Sequence, residues 1–198
     1  MKFGQIAFLM LGLFGLASNA VAEKAIFAGG CFWCMESDFE KLKDKGVIDV
    51  VSGFTGGVLK NPTYNGDHTG HYEAVEVTYD PAKISYQQLL DYYWVQVDPL
   101  DDKGQFCDKG RSYLSAIFVA NDSERKLAEQ SRQKVVAQFP GKKVVTPILD
   151  TGVFYPIIGD ESYHQDYYKN NPVRYKFYRF NCGRDRRLQE VWGDKATH

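Results

Sequence analysis

The chain is 198 residues long, with 24 Lys and Arg against 25 Asp and Glu and a formal net charge of −1. A nucleic-acid-binding protein carries a basic footprint, and this composition offers none. The one basic cluster, Arg184, Arg186 and Arg187, has Asp185 inside it and reads as a solvated tail.

Lys2 is followed by an apolar run from Ile6 to Leu16 and then by Ala20-Val21-Ala22. A charged start, a short apolar stretch and a small-x-small site together read as a secretory signal peptide over residues 1–22. The run falls well short of the ~20 apolar residues that cross a bilayer. The expectation is an exported, periplasmic protein whose mature part, residues 23–198, is one soluble domain. It is expected to be a monomer, without a nucleic-acid partner and without stable membrane association after signal cleavage. Four cysteines in an exported chain allow two structural disulfides. A domain of this size seldom depends on them, and the Cys31/Cys34 pair is too local to cross-link a fold.

Lys24–Ala28 reads as a strand meeting a tight turn at Gly29-Gly30. From Cys31 the period changes: Phe32, Met35, Phe39 and Leu42 form the stripe of an amphipathic helix, stopped by Gly46. Val47–Phe54 is a second strand, and the Gly/Asn/Pro/Asp-rich stretch from Thr55 to Thr69 is a long loop, a common place for function. His71–Tyr79 alternates as a strand. Ser85 and Gln88 make a capping box for a helix through Trp94. Ser112–Val119 is a strand, Asp122 or Ser123 caps a helix to Gln138, Lys142–Leu149 is a strand, and Glu161–Asn170 is a short helix. The order β-α-β-β-α-β predicts an α+β fold, a two-layer ferredoxin-like sandwich with a mixed sheet and long irregular loops.

The chemistry concentrates in Gly29–Glu36, "GGCFWCME". Cys31 stands at the start of a helix, where free N–H groups and the positive end of the dipole favour a thiolate. Cys34 lies one turn on, within reach of it. Three readings remain beside simple burial as small apolar residues. His68 and His71 have the spacing to complete a Cys₂His₂ zinc set. A Cys-x-x-Cys after a strand also suits a thioredoxin-like dithiol. Phe32 and Trp33, however, would crowd a protein-facing redox surface and make better sense as a cage for a small apolar group beside a single nucleophile.

One carboxylate stands out. In "HYEAVEVTY" Glu73 shares a face with Val75, Val77 and Tyr79, whereas Glu76 lies on the polar face. A core-facing carboxyl has a raised pKa and serves as a proton donor; the plainer alternative is a strand-edge residue bonded to a backbone N–H or an Arg.

Taken together, "GCFW" at Gly30–Trp33, "NPTY" at Asn61–Tyr64, "TGHYEAVEV" at Thr69–Val77, "DPAKISYQQLL" at Asp80–Leu90, "CDKGRSYLSAI" at Cys107–Ile117 and "YHQDYYKNNP" at Tyr163–Pro172 resemble the A-type peptide methionine-S-sulfoxide reductases, in that family's order. The resemblance covers essentially all of residues 23–198. It implies that Cys31 attacks the sulfoxide sulfur and that Phe32 and Trp33 cage the S-methyl. It further implies that Glu73 protonates the oxygen, that Tyr64 and Tyr113 bond it, and that Asp108 holds the network. It also implies selectivity for the S epimer, no metal or organic cofactor, a sulfenic acid resolved by a second thiol, and a thioredoxin-like reductant. The chain departs from many members in having Cys34 in place of Gly and a tail, "YRFNCGRDRR", with one cysteine. The resolving residue is therefore left among Cys34, Cys182 and Cys107.

Overall fold

The computed structural model describes residues 21–196, so the apolar run read as a signal peptide lies outside the described residues. The elements in chain order are β1 (Glu23–Gly29), α1 (Phe32–Glu40), β2 (Val47–Thr55), β3 (Tyr72–Tyr79), α2 (Tyr86–Trp94), β4 (Gly104–Gln105), β5 (Asp108–Lys109) and β6 (Ser115–Val119). There follow α3 (Asp122–Gln138), β7 (Ile148–Asp150), β8 (Tyr155–Pro156), α4 (Tyr167–Asn170), α5 (Pro172–Cys182) and α6 (Arg184–Trp192).

The main sheet has the order β7-β6-β1-β3-β2-β8. Its four central strands are antiparallel neighbours, with α1 crossing from β1 to β2 and α2 and β4–β5 lying between β3 and β6. This is the expected split βαβ. The parallel β6–β7 pairing makes the sheet mixed. Strand alternation divides the apolar side chains between two faces. Phe27, Val75, Val77 and Ile117 join Phe32, Met35, Phe39, Leu89 and Leu90 in the main core under the helices. Ile26, Ala28, Ala74 and Phe118 form a thinner cluster on the other face.

The capping box is present: Gln88 N–H donates to Ser85 Oγ, and Gln88 Oε1 accepts from Ser85 N–H. Ser85→Ala is expected to cost ~1 kcal/mol and to lower the unfolding midpoint by about 2–4 °C, as read by calorimetry; an unchanged midpoint would contradict it.

Several expectations are corrected. Asn121, rather than Asp122 or Ser123, caps α3, its Oδ1 accepting from Glu124 N–H. The strand expected over Lys142–Leu149 is reduced to Ile148–Asp150, because the Arg132 guanidinium takes the Val144 and Thr146 carbonyls and Pro147 has no N–H to give. Arg111–Tyr113 forms a 3₁₀ turn, so the strand expected from Ser112 begins at Ser115. The helix expected over Glu161–Asn170 is broken at Gln165-Asp166. The Gln165 amide bonds Ser52 N–H, Ser52 C=O and Ile157 C=O, and Asp166 is left-handed at φ 52°.

The tail is where the sequence reading fails most. It forms α5 and α6, and Arg184 is 1% exposed rather than solvated. The Arg184 guanidinium donates to Gly29 C=O and Gln96 C=O, rests over the Phe106 ring and lies 3.5 Å from Asp38. Arg179 pairs with the same Asp38 and with Asp185. The two guanidiniums hold the Asp38 carboxyl below its ordinary range despite its burial. These ion pairs lock the C-terminal helices onto α1.

Candidate active site

Gly30 turns the chain from β1 into α1 with φ +85°, and a Cβ there would lie 2.7 Å from Gln105 Cβ. Only glycine serves at such a position. Cys31 then occupies the N-cap of α1 and Cys34 the first turn, both buried, at 7% and 2% exposure, against Tyr175 of α5. The Phe32 N–H, at the first position of the helix, donates to Glu73 Oε2 at 3.0 Å. Glu73, opposite Phe54 in the β2–β3 register, is 1% exposed. Both sequence alternatives for Glu73 therefore hold together: it faces the core and it is bonded to a backbone N–H. Burial nevertheless prevails, raising its pKa to about 8, with the Asp108 charge also raising it and the Tyr113 hydroxyl opposing. Glu76 turns outward to Lys24.

Asp108 of β5 and Tyr113 of the 3₁₀ turn thus belong to the same electrostatic neighbourhood as Glu73. Burial and the nearby Glu73 and Cys31 raise Tyr64 to about 12 and push Tyr113 further up, so both phenols stay protonated donors at neutral pH. Burial also raises Asp108, which accepts from the Tyr178 hydroxyl at 2.5 Å. Tyr178 in turn lies within hydrogen-bonding reach of Cys31.

The thiols do not behave as the helix dipole alone predicts. Burial, the Cys34 neighbour and the Glu73 charge push the Cys31 thiol well up. The Phe32 N–H, which follows it in the chain, is already used by Glu73, and the Cys31 side chain accepts no capping bond from α1. Cys34 is lowered to about 7, first because Cys31 donates to its sulfur, then by the Arg184 and Arg179 charges. The two sulfurs share a hydrogen bond that makes Cys34, not Cys31, the favoured site of a thiolate.

Trp33 is surrounded by rings. It stacks on Tyr167 at 3.8 Å between centroids and on His164 at 5.5 Å, with Tyr178 edge-on. Its Nε1–H donates to His164 Nδ1 at 2.9 Å. Burial lowers the His164 pKa and so favours the neutral ring, whose Nδ1 must be unprotonated to accept the Trp33 N–H. Phe32 packs against Phe54, Tyr64 and His164. Glu161 draws the long loop onto this wall by accepting from Tyr64 N–H and Asn65 N–H, both at 2.7 Å.

His68 and His71 do not join the thiols. His71 bonds Leu59 C=O and Gly57 N–H, and His68 stacks on Phe54. Among the described residues the close donor group is Cys107, Asp108 and Cys182, two of whose atoms are disulfide sulfurs. Cys107 and Cys182 are bonded to each other, leaving Cys31 and Cys34 as the free thiols. Sequence reasoning missed His164, Tyr167, Tyr175 and Tyr178. The aromatic density of "YHQDYY" pointed at the first two; for the tyrosines of α5 nothing local did.

A family model described as peptide methionine sulfoxide reductase matches residues 23–196. "Peptide methionine sulfoxide reductase MsrA 2" of Caulobacter vibrioides is 50% identical over 190 residues, covering 92% of this chain and 94% of its own. Among solved structures, methionine sulfoxide reductase A of Corynebacterium diphtheriae is 31% identical with a TM-score of 0.64, covering 77% of this chain and 76% of its own. Reduced Mxr1 of Saccharomyces cerevisiae is 26% identical with a TM-score of 0.69, covering 77% and 87%. Mxr1 in complex with Trx2 shares the fold at 20% identity and a TM-score of 0.53, covering 78% and 91%.

Proposed function

The chain belongs to the peptide methionine sulfoxide reductase family, and from that premise we propose a division of labour among its site residues. It is an oxidoreductase that reduces methionine sulfoxide to methionine at the expense of thiols. Cys31 is the nucleophile, Glu73 the proton donor, Tyr64 and Tyr113 the hydroxyls that bond the sulfoxide oxygen, and Phe32 and Trp33 the cage for the S-methyl. Asp108 holds Tyr178 beside Cys31. The observation that carries this reading is the Phe32 N–H to Glu73 contact, which fixes an acid from β3 against the residue that follows the nucleophile.

Sulfoxide oxygen leaves sulfur poorly until it is protonated, which the neutral Glu73 supplies while the tyrosines bond the growing charge. As Cys31 attacks, its S–H proton passes to the Cys34 sulfur with which it is bonded. The substrate S–O bond breaks as the protonated oxygen is transferred to the Cys31 sulfur, methionine departs, and Cys31 is left as a sulfenic acid. Cys34, held toward the thiolate by Arg184 and Arg179, loses a proton and attacks that sulfur. A Cys31–Cys34 bond forms, and the oxygen leaves as water. Each turnover consumes two electrons, which a thioredoxin-like dithiol returns by exchange; the sharing of a fold with Mxr1, solved with Trx2, supports that partner. The start of the chain, "MKFGQIAFLMLGLFGLASNAVA", supports export to the periplasm with removal of residues 1–22. The Cys107–Cys182 disulfide suits such an oxidising compartment.

Cys34→Ser is the direct test. Prereduced variant without added reductant is expected to release one methionine per protein, more slowly than wild type because a serine hydroxyl is a poor acceptor for the Cys31 proton, and then to stop with Cys31 trapped as the sulfenic acid. Undiminished steady-state turnover with a dithiol would remove Cys34 as the resolving residue. Run with both epimers, the same assay is expected to consume only the S form; equal consumption of the R form would contradict the A-type assignment.

A further inference from the structure

Glu36 is 1% exposed, one turn beyond Trp33 on α1, and the chemistry above does not use it. Its Oε2 accepts from Ser52 Oγ of β2 at 3.1 Å, and its Oε1 accepts from the Asp166 N–H at 3.0 Å. Asp166 is a non-glycine residue in the left-handed region, φ 52°, a conformation that persists only where its surroundings impose it. On its two sides stand His164 and Tyr167, which hold the Trp33 indole by a hydrogen bond and by stacking. The helix that carries Trp33 therefore also carries the carboxyl that bonds the turn between those two rings.

We propose that Glu36 is a positioning residue for the Trp33 cage: by fixing the Asp166 turn it sets His164 at the indole N–H and Tyr167 against the indole face, without touching the substrate. The proposal rests on the reading of Trp33 as the cage for the S-methyl. Gln165 anchors the same segment to Ser52 and Ile157 by three hydrogen bonds. Loss of Glu36 should consequently leave the segment attached and release only the conformation at Asp166.

The group also responds to pH. Burial raises its pKa to about 7, outweighing the Asp166 N–H and Ser52 hydroxyl, whose bonds favour the carboxylate, and the Asp166 and Glu40 charges add to the rise. Glu40 is itself paired with Lys43 and Lys169, and Lys169 also reaches Asp166. Glu36 lines a cavity of about 490 Å³ with Asp49, Val51, Ile157, Ser162 and Asp166, which places a further carboxylate in the same cavity. A carboxyl whose pKa is higher in the closed turn than when hydrated favours the closed turn when protonated. The turn is therefore firm below about 7 and loosens as the pH rises through that value.

The test combines hydrogen exchange at the Asp166 amide, corrected for the intrinsic rate, with kinetics on a methionine sulfoxide peptide. Glu36→Ala is expected to speed exchange and raise KM, each about tenfold, with the single-turnover rate at saturation within about threefold. Glu36→Gln, a neutral acceptor, is expected to keep both near wild type and to abolish the loosening above pH 7. Unchanged exchange in Glu36→Ala, or Glu36→Gln as damaging as Glu36→Ala, overturns the proposal. If Glu36→Ala does not fold, the pH dependence of exchange in wild type against Glu36→Gln decides alone: identical profiles overturn it. Trp33→Phe separates the two readings. If it leaves KM unchanged the cage itself is wrong; if it raises KM and Glu36→Ala does not, only the role of Glu36 falls.

Discussion

Cys31→Ser is expected to lower methionine release by on the order of 10⁴-fold or more, even in a single turnover with fully reduced protein. A serine hydroxyl is a weak nucleophile toward sulfur and cannot carry the oxygen away as a sulfenic acid. The other free thiol offers no substitute. Cys34 is 2% exposed, packed beside Tyr175 and subject to the charges of Arg179 and Arg184, one turn deeper along α1 than the position that faces Glu73 through Phe32. The companion measurement is thiolate absorbance against pH in Cys31→Ala, which removes the donor that does most to lower Cys34. The titration near 7 should then move upward, because burial is no longer offset by that bond. Methionine release by Cys31→Ser at the wild-type single-turnover rate would exclude Cys31 as the nucleophile, and a Cys34 titration unmoved in Cys31→Ala would break the account of the hydrogen-bonded pair.

The parts of this site that the sequence made legible are those set by local periodicity. Gly30 forces a turn, Cys31 follows it, and the stripe Phe32, Met35, Phe39 fixes α1, so the nucleophile's place at a helix start depends on neighbours in the chain. Alternation in β3 likewise separates Glu73 from Glu76. What the sequence hid depends on partners far along the chain. Tyr178 reaches Cys31 and Asp108 only because α5 packs across α1, and α5 itself was missed because its inward residues, Tyr175 and Arg179, do not look like a core stripe. Arg184 illustrates the same limit. An arginine in a charged tail is ordinarily solvated, and its burial follows from the Gly29 and Gln96 carbonyls and from Asp38 beside it. The pairing of Cys107 with Cys182, 75 residues apart, is a product of the same packing, since connectivity does not follow from cysteine positions alone. The state of the thiols was legible only in part. The helix dipole is real, but it acts on two coupled sulfurs, and the guanidiniums stand closer to Cys34 than to Cys31 in their effect.

Glu73→Gln is expected to slow the sulfoxide step by about 10²–10⁴-fold, the range in which a general acid contributes. Glutamine keeps an oxygen for the Phe32 N–H and a donor toward the pocket, so the geometry survives while the transferable proton is lost. In the wild type the acid is protonated up to about 8. Its single-turnover rate should therefore fall as the pH rises through that value, whereas the variant, already without the acid, should show no such descending limb. The gap between them is widest below pH 8 and narrows above it. Unfolding cannot account for the loss. With a folded pKa of about 8 against an unfolded value of about 4.5, the unfolded chain gives up this proton first, and stability declines as the pH rises between the two. Glutamine removes that decline, so the variant should unfold at pH 8 no more easily than the wild type. Glu76→Gln, on the outward face of the same strand and paired with Lys24, should change the rate by less than about threefold. The measurement is single-turnover methionine release against pH for all three proteins, with thermal midpoints alongside. Equal losses at Glu73 and Glu76, or a descending limb that persists unchanged in Glu73→Gln, would take the proton donor away from Glu73.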